Sequence, residues 1–131
     1  MSLDLNRILL YGRADGTMAD HPQRKVFSLT DALVCGEGNS PLAPQPLAVG
    51  AVTFASSSVA AEIAHAALLR VDPTKVALIR EGFGEFRWPL IRGEVGIRCA
   101  GEDVAPEELA RSLGVDSRAP EGWRGHIEWR V

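Results

Sequence analysis

Along this chain the spacing of apolar positions switches between helical and extended periods in a readable order. Leu5, Ile8, Leu9 and Tyr11 recur at helical spacing, with Asp4 and Arg7 on the other side and Gly12 as a natural stop. Residues 13–24 are dense in turn formers and predict a loop. A strand is expected from about Lys25 to Val34. Its apolar members do not alternate cleanly, which predicts burial on both faces in the middle of a sheet. The segment Cys35 to Pro46 carries Pro41, Pro44 and Pro46 and reads as a stiff loop. Ala48 to Ala55 predicts a second buried strand. Ser56-Ser57-Ser58 offers a helix N-cap, and Val59, Ile63 and Ala67 with Ala60, Ala64 and Leu68 line an apolar face to about Arg70.

Asp72-Pro73 pairs a capping residue with a first-turn proline and predicts a further helix ending near Gly82. This order argues an α/β domain with a mixed or mostly parallel sheet flanked by helices. After Gly84 the composition changes, and residues 84–131 could form a subdomain. There Glu94 to Cys99 reads as a strand with Val95, Ile97 and Cys99 on one face. Pro106 to Leu113 reads as a helix closed by Gly114, and His126 to Val131 as a final strand with Ile127, Trp129 and Val131 inward.

At 131 residues the chain suits one domain with a real core. Hydrophobic content of 46% with 24% charged residues argues against disorder. A net charge of −3 and scattered basic residues give no reason to expect nucleic acid or an anionic membrane surface. No apolar run is long enough to span a bilayer and the start lacks a signal-peptide pattern, so a cytoplasmic location is expected. Cys35 and Cys99 stand far apart and read as free thiols. With no Cys-rich motif, no iron–sulfur cluster is expected within this chain.

The candidate chemistry centres on Gly36-Glu37-Gly38-Asn39, where two glycines bracket a carboxylate at the end of an apolar run. Gly36 and Gly38 can take positive φ and admit close approach, so that Glu37 and Asn39 are presented in a defined geometry. Asp31 from the strand and Asp15 from the preceding loop would complete an oxygen-rich ligand set or orient a polar substrate. Glu37 and Asp31 are the candidate acid–base residues, and Gly36, Gly38, Asn39 and Asp15 the candidate ligand-binding residues. The competing reading has Asp31 and Glu37 capping turns through backbone N–H groups. The spacing matches neither a calcium loop nor a nucleotide-binding glycine loop, so metal and cofactor are left open. His65 lies three residues after Glu62, close enough on a helix for a surface pair.

The run Asp31-Ala32-Leu33-Val34-Cys35-Gly36-Glu37-Gly38-Asn39-Ser40-Pro41-Leu42 resembles the "D-G-I-x-x-G-E-G-N-G-P-L" signature of the domain of unknown function 362. The resemblance extends over Leu3 to Leu9, Pro22 to Lys25, Asp72-Pro73, Leu78 to Phe83 and Gly122 to Glu128. Departures are Ser40 in place of glycine, and Ser57 to Ala64 where the family reads like "N-P-V-A-V-D-A-V". That family has no settled activity, though members often carry ferredoxin-like iron–sulfur segments. The resemblance implies the C-terminal part of a larger protein, with Met1-Ser2 as a short vector-derived start, or else a naturally short relative. Two functions follow. Either the chain contributes its acidic loop to an active or ligand site of a redox-linked parent, completed by a missing N-terminal half, or it is a non-catalytic binding or assembly module. Homo-oligomerisation through an uncovered surface fits both.

Overall fold

A computed structural model describes residues 1–131. Helix α1 (Ser2–Tyr11) leads to strands β1 (Ser28–Asn39) and β2 (Ala43–Ala55), then α2 (Ser58–Leu68) and α3 (Ala77–Gly82). Strands β3 (Ile97–Cys99) and β4 (Glu102–Val104) precede α4 (Pro106–Ser112). Short 3₁₀ turns occupy Pro73–Lys75 and Glu121–Trp123.

The content is mixed α and β, but the expected parallel sheet is absent: each of the two sheets is an antiparallel pair, β1 with β2 and β3 with β4. The reason is local. Only Ser40, Pro41 and Leu42 separate β1 from β2, and parallel pairing needs a crossover of a dozen or more residues. The stiff loop expected over Cys35–Pro46 is instead the end of a long hairpin, with Glu37 opposite Gln45 and Gly38 opposite Pro44. Pro44 and Pro46 are accommodated because β2 is an edge strand, where a missing N–H costs no ladder bond on the open side.

Burial on both faces also fails for these strands. Ser28, Thr30 and Ala32 turn inward, whereas Leu29 and Phe54, opposite each other in the ladder, remain 74% and 68% exposed. Between Ala32 and Val34 the register slips, with Val49-Gly50 facing Leu33 and Gly50 in the left-handed region at φ 74°. Beyond the slip the inward phase of β1 changes from even to odd positions, so Cys35 and Glu37 face the interior.

Helix α2 is the centre of packing. Its Ala67 and Leu68 meet Leu109 and Ala110 of α4, with Val49, Ala51 and Trp129 around them. Its Ile63 and Ala66 meet Ile79 of α3. The helix expected from Asp72 to Gly82 breaks at Val76, whose φ −89° and ψ 106° are extended. Asp72 nevertheless caps its first turn, accepting from the Thr74 N–H at 2.9 Å. The final strand is reduced to one bridge between Val71 and Glu128, with the Trp129 N–H donating to Arg70 O at 2.8 Å. The strand expected at Glu94–Cys99 is confined to Ile97–Cys99. Within residues 84–131, α4 and Trp129 share the α2 core. Tyr11, 1% exposed, ties α1 to the C-terminal half of the chain by donating its hydroxyl to Pro89 O at 2.7 Å. No helix is long and apolar enough to cross a membrane.

Candidate functional site

The Gly36–Asn39 segment at the hairpin tip meets the C-terminal segment of the chain. Gly38 takes φ 76°, a conformation that an L side chain adopts only under strain, and its N–H donates away from β2 to Arg118 O at 2.7 Å. A Cβ built there would lie 3.4 Å from Arg118 Nε, so the approach is close as well as left-handed. The Glu37 carboxylate accepts the Arg118 backbone N–H through Oε2 at 2.7 Å. Its Oε1 lies 3.6 Å from the Arg118 guanidinium. Asn39 Oδ1 accepts the Glu121 N–H at 3.1 Å. Residues 117–121 therefore hang from the tip of β1 by three bonds, two of them to the side chains of the signature.

Their other end is held by α2. Ser117 Oγ donates to Leu69 O at 2.6 Å, and the Val115 N–H donates to Leu68 O at 2.8 Å. Arg70, itself at φ 48°, donates to Ala110 O at 3.0 Å and pairs with Asp116 at 2.9 Å. The segment is thus strung between the C-terminal end of α2 and the hairpin tip. Local sequence carries no sign of this role for Arg118 and Glu121, because they act through backbone N–H groups that every residue but proline possesses.

The remaining candidates lie elsewhere. Asp31 sits on the outer face of β1 and accepts the Leu33 N–H at 3.0 Å. Six residues apart on a regular strand, Asp31 and Glu37 would share a face; the slip at Leu33 puts them on opposite ones. Asp15 closes its own turn, accepting from Thr17 Oγ1 at 2.7 Å and from the Thr17 N–H at 2.9 Å, and these bonds lower its pKa. Glu37 and Asn39 come together; Asp31 and Asp15 join neither them nor each other. No three His, Cys, Asp or Glu side chains are placed to hold a metal ion. His65 bonds Thr53 of β2, Nε2 to Oγ1 at 2.9 Å, in place of the expected pairing with Glu62. Cys35 and Cys99 are unpaired.

Two cavities lie near the start of α2. One, of about 270 Å³, lies between the C-terminal half of α1, Arg24–Phe27, the Ser56–Ser58 start of α2 and Pro89–Arg92. The other, of about 410 Å³, lies between β2, β3, α2 and α4 and is mostly apolar. Compared with family models, curated proteins and solved structures, the chain matches none.

Proposed function

We propose that this chain is a binding or assembly module that docks onto further polypeptide through the outer face of the β1–β2 hairpin. The observation that carries this reading is the apolar character of that face. Phe27, Leu29, Leu33, Val34, Val52 and Phe54 are all more than half exposed, and the Phe27 and Phe54 rings stack with centroids 5.4 Å apart. Together they expose on the order of 700 Å² of side-chain surface, close to the roughly 800 Å² per partner of a standard protein–protein interface. A patch of this size on a small domain marks an interaction surface. The engagement of Glu37 and Asn39 with the chain's own backbone supports the same reading, since neither is presented to an open cleft.

In this proposal the occupant of the face is the N-terminal half of a parent resembling the domain of unknown function 362, in the cytoplasm. Any iron–sulfur group of such a parent would be bound by that other half, because this chain contributes only Cys35 and Cys99. Deprived of that cover, the isolated chain should self-associate through the hairpin face. Sedimentation velocity over a hundredfold concentration range tests this: wild type should associate reversibly, and Leu29→Glu should be monomeric with unchanged circular dichroism. A wild type that stays monomeric and binds no hydrophobic dye would remove the basis of the proposal.

A further inference from the structure

The apolar cavity between β2 and β3 has walls of an unusual kind. One wall is Ala51–Ser56 and the other Gly96–Cys99, each a run of consecutive residues. Successive side chains of a strand point to opposite faces, so a face would contribute only every second residue. Consecutive lining means that both strands turn their backbone edges toward the cavity.

Those edges are open. β2 is bonded only to β1 and β3 only to β4, and the backbone groups of residues 51–56 and 96–99 have no partner outside those two ladders; the one bond from α2 is to a side chain, His65 to the Thr53 hydroxyl. On β3 the direction of the free groups follows from the turn. Ala100 and Gly101, at φ 51° and 93°, close a two-residue hairpin flanked by the pair Cys99 and Glu102. That pair exchanges both ladder bonds, so Arg98 is the alternate residue that sends its N–H and C=O into the cavity. The floor is Ala60, Ala64 and Leu68, successive turns on one side of α2, with Leu109 of α4 and Leu113 just past its end closing the groove.

We infer that this groove binds an extended peptide of another polypeptide, inserted as a strand between β2 and β3. The inserted strand would bond to both walls and join the two hairpins into one five-stranded sheet over α2 and α4. A lone two-stranded hairpin is marginal in water, whereas three or more strands over a helix are stable, so insertion completes what each hairpin lacks. Charge defines the occupant's chemistry. The single charged lining residue, Arg98, is paired with Asp103 at 3.0 Å, so the groove offers no counter-charge. The side of the peptide facing α2 must therefore be uncharged and apolar, at alternate positions over about four residues, the length shared by the two walls. The methyl-sized floor at Ala60 and Ala64 leaves room for β-branched side chains. A second copy of this chain does not fit, because each of its strands is already half of a hairpin and a hairpin is two strands wide.

This inference rests on the reading of the chain as a binding module but uses a different surface from the outer hairpin face. Its test is titration of ¹⁵N-labelled protein with the synthetic peptide Thr-Val-Thr-Val-Thr-Val-Thr, blocked at both ends. Shifts and slowed hydrogen exchange, at least about tenfold, are expected at alternate amides of Ala51–Ala55 and at Arg98. The same peptide with its central Val replaced by Pro should not bind. Ala64→Trp, which fills the groove, should abolish binding. Arg98→Pro, which removes one edge donor without touching the β4 ladder, should weaken it at least about fivefold, one hydrogen bond's worth. Leu29→Glu should leave it intact, which separates this groove from the outer face. Absence of binding at millimolar peptide, equal binding of the Pro peptide, or shifts confined to Phe27 and Leu29 would each overturn the inference. So would a strand-exchanged dimer that closes the groove without peptide.

Discussion

If the Gly36–Asn39 segment holds the C-terminal strap, deleting the Glu37 carboxylate must be felt in stability. Glu37 Oε2 accepts a backbone N–H at 2.7 Å, its side chain is 17% exposed, and the second oxygen stands 3.6 Å from a half-exposed guanidinium. A hydrogen bond to a charged acceptor contributes about 1.5–3 kcal/mol, whereas an exposed ion pair contributes about 0–1 kcal/mol. Glu37→Ala should therefore cost about 1.5–3 kcal/mol, lowering the melting temperature by roughly 5–12 °C for a chain of this size. Glu37→Gln keeps an oxygen for the same N–H and loses only the charge, so about 1 kcal/mol is expected. Urea denaturation of the two variants and of Arg118→Ala, assembled as a double-mutant cycle, separates the contributions. The coupling between Glu37 and the Arg118 side chain should stay below about 0.5 kcal/mol, because the main bond is to the Arg118 backbone. A Glu37→Ala variant within about 0.5 kcal/mol of wild type, the range of ordinary surface substitutions, would refute the strap. A coupling of about 2 kcal/mol would shift the role to the ion pair.

Gly38→Ala should destabilise by about 1–2 kcal/mol in the same urea assay, since φ 76° disfavours any Cβ and the Arg118 side chain must move. Gly114→Ala should be worse, above about 3 kcal/mol by calorimetry, because its Cβ would meet the backbone oxygens of both Ala110 and Ala67 at sub-contact distance. Tyr11→Phe should cost about 1–2 kcal/mol, leaving Pro89 O without its donor in a partly buried site; proteolytic nicking near Pro89 should rise with it. Burial pushes the Asp72 carboxyl upward, but the Thr74 hydroxyl and N–H and the nearby Lys75 ammonium outweigh it, and the pKa is lowered. A depressed folded pKa means stability that is present above the ordinary carboxylate range and lost as pH falls through the folded value. Urea midpoints should thus drop on acidification below that range, and Asp72→Asn should flatten the slope while keeping the cap.

The sequence by itself determined the local elements. Spacing marked α1, α2 and α4, Asp72-Pro73 marked a capped helix start, of which the cap is present, and the paired glycines offered Gly36 or Gly38 as a left-handed, closely approached position, which the fold assigns to Gly38. These depend on periodicity and on backbone preferences that act within a few residues. What the structure alone decided involves partners distant in the chain. Cys35–Pro46 read as a loop because three prolines and two glycines disfavour strands, yet an antiparallel edge hairpin tolerates both. The slip at Leu33 separated Asp31 from Glu37, and only the cross-strand register reveals a slip. The oxygens of Glu37 and Asn39 looked available because their partners, the N–H groups of Arg118 and Glu121, stand about eighty residues away and have no side-chain signature. Tertiary proximity, not residue type, made the acidic loop a clasp and left the two hairpin edges facing an open groove.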